Sequence, residues 1–317
     1  TEQDGLDKER IELEAILNDK DKLKDLIKQE ITDDGQAYGD KRRTVIIERD
    51  VAQAIDETQL ISSEPVTVIL SQRGWARAAK GHDIDPHAMN YKSGDGYLSV
   101  AYGRSNQLAM FLDSTGRVYS MLANLLPSAR GQGEPLSGRF KPPDGAEFCG
   151  VMLGNPDDQW LLSSDAGYGF IVKLIDLAST YKAGKAILKV PQGSRPNVPY
   201  PMKIKNGALI AAVSSIGKLL VFSAEELPEL AKGKGNKLLN IPTNKFKLGE
   251  EKLAGVVIIN EGDALQIYRD ELNFMTLKWK DLQHFIGDRA HRGKNYSKKF
   301  KRATGLAVDK ATKNDDS

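Results

Sequence analysis

With 317 residues, 40% of them hydrophobic, the chain can bury the core of one large domain or two smaller ones. No apolar run approaches the roughly 18 residues a membrane-spanning helix needs, and the acidic start TEQDGLDKER has neither the basic end nor the apolar middle of a signal peptide, so the chain is read as soluble and cytoplasmic. The single Cys149 excludes an internal disulfide or thiolate metal cage, and the formal charge of +2 hides a division: residues 1–64 hold 10 Lys and Arg against 18 Asp and Glu, a net −8, while residues 65–317 hold 35 against 25, a net +10.

In LDKERIELEAILNDKDKLKDLIKQEI the apolar residues Leu6, Leu13, Ile16, Leu23, Leu26, Ile27 and Ile31 fall mostly at steps of three, four or seven, which predicts a two-sided helix. Lys20 interrupts the heptad through Leu6, Leu13 and Ile27, and the run is too short for a long autonomous coiled coil. Because the chain opens at Thr1 inside this pattern, it reads as the C-terminal piece of a longer protein, with residues 1–34 packing on what precedes them. Gly35 and Gly39 in TDDGQAYGDKRRT predict a helix stop and a linker over 35–65, within which VIIERDVAQAIDETQLI is a second, weaker helical stretch.

From Val66 the texture changes to short β-branched and aromatic runs between Gly, Pro, Asn, Asp and Ser clusters, the pattern of an all-β domain. Anchored on Gly116 in LDSTGRVY, LSQRGWAR (Gly74), SSDAGYGF (Gly167) and VSSIGKLL (Gly217) align without gaps, and a degraded fifth copy, IYRDELNF, puts Glu271 at the anchor. The spacings are 42, 51, 50 and 54 residues, and a leucine follows ten residues after the glycine in three copies (Leu126, Leu177, Leu227) and eleven after Glu271 (Leu282). Units of this size cannot cover their own apolar faces and stack radially, so residues 66–300 are expected to form a five-bladed, propeller-like domain. The anchor glycine suits a turn that needs φ > 0; the last blade, lacking it, should be irregular. The polar tail 301–317 is expected to be disordered.

After the leucine the copies enter glycine-rich basic loops, SARGQGEP (128–135), YKAGKAIL (181–188), LAKGKGNK (230–237) and RAHRGKNYSKK (289–299). On a propeller these fall on one rim, where glycine would let backbone approach phosphate and Arg130, Lys182, Lys185, Lys232, Lys234, Lys237, Arg289, Arg292 and Lys294 would supply charge. The cations Arg73, Arg77, Lys80, Arg117 and Lys218 of the strand turns would extend the band. Duplex DNA is therefore the expected partner. A protein-binding propeller and an enzyme with a central-channel site stand as alternatives.

Other signals are weaker. Trp75, Trp160 and Trp279 read as core, since no aromatic recurs at the spacing of a single-strand reader. His82 and His87 in KGHDIDPH sit in a polar surface loop, Cys149 reads as a buried inert thiol, and no metal site is expected. GxSxG, HExxH and P-loop signatures are absent, so no catalytic residue is assigned to this chain.

The strings QAYGDKRRT, EPVTVILSQRGWARAAKGHDID, DSTGRVY, LPSARGQGEPLSG, SSDAGYGF and LPELAKGKGNKLLNIP together resemble the C-terminal region of the A subunits of bacterial topoisomerase IV, over residues 36–295. Gyrase A subunits share the repeat, but the QRRGGKG-like string of their first blade has no counterpart in KGHDIDPHAMNYKSG, which disfavours gyrase-type tight wrapping. The resemblance implies a mainly β, five-bladed β-pinwheel with strands exchanged between blades, preceded by a helical segment. It also implies a breakage-reunion core outside this chain that holds the catalytic tyrosine, and a parent heterotetramer of two A and two ATP-hydrolysing B subunits. That parent uses ATP and Mg2+, whereas this piece, expected to be monomeric, needs no cofactor. The implied role is to bind and bend the transported DNA segment for decatenation and supercoil relaxation. The implied location is the nucleoid, with peripheral membrane association open for the complex.

Overall fold

The apolar stripe at the start of the chain folds as two helices, Glu2–Asn18 and Lys20–Tyr38, in a compact unit, Thr1–Ile55, of the computed structural model. The break falls at Asp19, beside the lysine that interrupts the heptad, and the Asp19 carboxylate accepts from the N–H groups of Asp21 and Lys22 as an N-cap. The second helix runs through Gly35, past the expected stop after residue 34. Glycine inside a helix costs only about 1 kcal/mol, and the helix closes where the N–H of Gly39 donates to the Gly35 carbonyl. Among the described residues, 2–40, 62–202, 207–270, 272–297 and 301–310, neither helix buries a side chain, and none is long and apolar enough to cross a membrane. The expected helical stretch over 45–61 lies outside the described residues.

The second unit, Asp56–Ser317, is a propeller of five sheets. Each of the first four blades is built on a hairpin at its anchor: Pro65–Ser71 with Trp75–Lys80, Leu108–Asp113 with Arg117–Leu122, Gln159–Ser164 with Tyr168–Lys173, and Leu209–Ser214 with Lys218–Ser223. The four anchor glycines have φ between 74° and 85°, and each N–H closes a tight turn on the carbonyl three residues back. Polar residues at the strand ends brace the turns: the Asp113 carboxylate accepts from the N–H of Thr115 and of Arg117, and the Ser71 hydroxyl from that of Trp75. The fifth hairpin, Ala264–Tyr268 with Phe274–Leu277, has its turn rebuilt: the Arg269 N–H reaches the Asn273 carbonyl, and the Asp270 carboxylate caps Leu272 and Asn273. Glu271 itself lies outside the described residues.

After each of the next four hairpins the chain does not stay in its own blade. It first lends a two-residue outer strand to the preceding sheet, then returns to lay an inner strand in its own. Glu134–Pro135 thus completes blade 1, Lys185–Ala186 blade 2, Asn236–Lys237 blade 3 and Lys294–Asn295 blade 4. Phe148–Met152, Tyr200–Pro201, Leu253–Ile259 and Gly305–Asp309 are the returning strands, and Tyr97–Arg104 is the inner strand of blade 1. Among the described residues blade 5 keeps three strands. Its third, Gly305–Asp309, draws on residues expected to be a disordered tail; Leu306 and Val308 pack on the core of blades 4 and 5. The propeller therefore spans 65–309, nine residues more than expected at its C-terminal end.

The repeated leucines Leu126, Leu177, Leu227 and Leu282 are all buried, pinning the start of each crossing segment. The crossing ends on a glycine. Gly133, Gly184, Gly235 and Gly293 all have positive φ and stand immediately before the lent strand, and a Cβ on Gly235 would lie 2.2 Å from the Gly169 carbonyl oxygen of the neighbouring strand. These glycines serve blade-to-blade packing.

Cys149 is half-buried on the inner strand of blade 2, its Sγ 3.6 Å from the Glu147 carbonyl, and burial, with Asp113 nearby, pushes the thiol up to about 12. At pH 8 its alkylation should run at least about a hundredfold slower than in urea-unfolded chain, where the pKa returns near 8.5; equal rates would contradict this placement. Gly235→Ala should cost about 2–4 kcal/mol by urea unfolding, through left-handed strain plus overpacking. Gly193→Ala, with φ of 75° and nothing within 4 Å, should cost only about 1 kcal/mol.

Candidate nucleic-acid interface

The lent strand is the terminal strand of its sheet, and the inner strand lies at the opposite end. The four basic loops are the segments that cross to make these outer edges, so the propeller presents them at equivalent places, one at each of the first four blades. Loops two and three also touch: Lys189 N–H donates to the Gly233 carbonyl and Gly233 N–H to that of Ile187.

The fourteen expected cations divide by what they already hold. Arg73, Arg130, Lys182 and Lys232 are exposed and Lys218 half-exposed, and none has a side-chain hydrogen bond or ion pair among the described residues. Lys234 is exposed too, its Nζ 4.1 Å from the centre of the Tyr168 ring. These six keep their N–H donors available to a ligand.

Others hold the edge together. The Arg117 guanidinium donates to the carbonyls of Ala183 and Gly184, Lys185 Nζ to that of Asp176, Arg289 to that of Lys237 and Lys294 Nζ to that of His284. Each bond ties a lent strand or the loop before it to its surroundings. Lys237 Nζ donates to Asn240 Oδ1 at 3.2 Å, and Lys80 pairs with Glu64 at 3.0 Å while remaining largely exposed.

Two cations leave the candidate surface. Arg77 is 3% exposed: one guanidinium nitrogen donates to the Gly131 carbonyl and the group lies 4.7 Å over the Tyr91 ring, so it clamps the first crossing loop instead of facing a ligand. Arg292 makes a two-pronged ion pair with Glu251, whose side chain is fully buried, and also donates to the Asn240 carbonyl. Its charge is spent inside the fold.

At the far end of the sheets, inner strands of all five blades line a central cavity of about 910 Å³. Tyr97 and Tyr200 in its wall are pushed up to about 12 by burial, so they stay neutral at physiological pH, and Arg195 pairs there with Glu147 at 3.0 Å. In the KGHDIDPH loop, His82 Nε2 meets the Gly103 carbonyl at 3.0 Å, His87 packs on Tyr97, and the Asp85 carboxylate accepts from the His87 N–H. Trp160 is buried, as expected of core; Trp75 and Trp279 are half-buried. One cation escaped the sequence reading altogether: Lys92, in the loop between the hairpin and inner strand of blade 1, has no counterpart in the repeat alignment, yet it folds onto Trp75.

Comparison with known proteins places this geometry. The family model of the DNA gyrase C-terminal domain, a beta-propeller, matches residues 208–260. The A subunit of DNA topoisomerase 4 from Pseudomonas aeruginosa is 47% identical over 308 residues, 97% of this chain and 41% of that protein. Its counterpart in Escherichia coli K12 is 42% identical over 293 residues, 92% of this chain and 39% of that protein. The chain thus spans about two fifths of the length of these curated relatives. A solved DNA gyrase A C-terminal domain shares the fold, with a TM-score of 0.57 at 14% identity over 78% of this chain and 83% of that one. The solved C-terminal domain of E. coli ParC aligns over 78% of this chain and 100% of its own length, with a TM-score of 0.68 and 39% identity. This chain belongs to the family of C-terminal domains of topoisomerase IV A subunits.

Proposed function

We propose that the outer edge of the propeller binds duplex DNA through its phosphates, with little reading of base sequence. The observation that carries this is the repeated lending of a strand. It sets Arg130, Lys182 and Lys232 at equivalent crossings and Lys218 opposite a lent strand, all with their donors unspent. The net +10 of residues 65–317 supplies the long-range attraction. The relatives are named as A subunits of topoisomerase IV, and in that setting the domain holds and bends the segment to be transported for decatenation and supercoil relaxation. ATP, Mg2+, the ATPase B subunits and a second copy of the A subunit belong to the parent assembly at the nucleoid, and the catalytic tyrosine lies outside this chain.

Affinity for plain duplex DNA should fall roughly tenfold or more between 50 and 200 mM salt and vary little with sequence; salt-insensitive binding would contradict the reading. The quadruple change Arg130→Gln, Lys182→Gln, Lys218→Gln, Lys232→Gln should flatten the log–log salt slope by about 3–4, each change costing under about 0.5 kcal/mol of stability. Arg292→Ala should act oppositely. Stranding the buried Glu251 carboxylate should cost about 3–5 kcal/mol in urea unfolding, so a variant of unchanged stability would show that the ion pair is dispensable.

A further inference from the structure

In each four-stranded blade the first residue after the anchor glycine stands opposite the second residue of the lent strand: Trp75 opposite Pro135, Arg117 opposite Ala186, Tyr168 opposite Lys237 and Lys218 opposite Asn295. Blades 2 and 4 place a cation there. Blades 1 and 3 place an aromatic ring, and each ring carries an ammonium brought from another loop. Lys92 Nζ lies 3.4 Å from the centre of the Trp75 ring and Lys234 Nζ 4.1 Å from that of Tyr168. Positive charge therefore stands at one register in all four blades, although the repeat supplies it directly in only two.

We propose that Trp75 and Tyr168 are positioning residues for DNA binding, holding Lys92 and Lys234 at the register where blade 4 carries the unspent Lys218, and that Lys92 belongs to the phosphate-contacting row. This rests on the reading of the outer edge as a duplex-binding surface. A lysine free in solvent must be ordered when it meets a phosphate, and that ordering opposes binding. Stacking on a ring orders it beforehand through the attraction of the ammonium for the π face. The ammonium still has N–H donors directed away from the ring and open to a phosphate oxygen.

The segment that delivers Lys92 is itself held in place. The Asp95 N–H donates to the Lys92 carbonyl at 2.9 Å, the Arg73 N–H to the Asp95 carboxylate at 2.9 Å and the Gln72 N–H to the Gly96 carbonyl at 2.9 Å. The Tyr91 ring lies under the buried Arg77 guanidinium. Exposed Arg73 sits beside the same turn, its guanidinium 3.2 Å from where a Cβ on Gly94 would stand. Blade 1 thus sets Arg73 of its hairpin turn beside Lys92 of a loop held by backbone hydrogen bonds.

The test is a salt titration of a fluorescent duplex with the whole chain and the variants Lys92→Gln, Trp75→Leu and Trp75→Phe, with Lys218→Gln as reference and thermal unfolding as a check of fold. Lys92→Gln should weaken binding about three- to tenfold at 100 mM salt and reduce the salt slope by about 0.9, one phosphate's worth. Trp75→Leu removes no charge yet should weaken binding at least about twofold, and Trp75→Phe should restore it, because a ring face is what the lysine needs. If Lys218→Gln weakens binding and Lys92→Gln does not, the positioning proposal falls while the DNA-binding edge stands. Equal losses in the Leu and Phe variants would likewise make Trp75 a packing residue only. A wild-type chain without salt-dependent binding overturns both. Should Trp75→Leu fail to fold, Lys92→Gln and Lys234→Gln decide the matter alone.

Discussion

The outer edge of each of the first four blades consists of two residues borrowed from the next repeat, and most other features of the propeller follow from that loan. A hairpin with one inner strand leaves a row of unpaired backbone groups along its open side. Glu134–Pro135, Lys185–Ala186, Asn236–Lys237 and Lys294–Asn295 fill those rows, and in doing so they stitch blade to blade. Five blades need five such stitches to close completely, and the described residues make four. Among the described residues no hydrogen bond or ion pair joins blade 5 to blade 1.

The same crossings explain where charge goes. To reach the neighbouring blade a segment must turn sharply against a strand, which calls for the positive-φ glycines Gly133, Gly184, Gly235 and Gly293. It must also satisfy its own carbonyls, which Arg77, Arg117, Lys185, Arg289 and Lys294 do. Only the cations left over, such as Lys182 and Lys232, remain for a partner. A basic loop here is therefore partly scaffold and partly contact, and counting its lysines overstates the contact.

Much of this was legible in the sequence. The anchor glycines and the leucine ten residues on are local constraints, one on φ and one on burial, so they recur at fixed offsets and reveal five units. The strand exchange came from family resemblance, because a two-residue strand such as Lys185–Ala186 carries no periodicity of its own. Arg77 and Arg292 could not be sorted from Lys182 and Lys232 by residue type. What decides their burial lies far along the chain, Gly131 for the first and Glu251 for the second. The strand Gly305–Asp309 was hidden for a related reason: its short apolar alternation sits in a polar tail, and only the open sheet of blade 5 makes it a strand. Lys92 was missed because repeat alignment cannot see a loop that occurs once.

The central claim is that lent strands set unspent cations along one edge, and lysine acetylation footprinting with and without duplex DNA tests it most directly. Lys182, Lys218 and Lys232 should be protected by DNA at low salt, while Lys22 and Lys24 on the acidic helices should acetylate equally in both samples. Uniform protection across all these lysines, or none at the three edge positions, would contradict the account.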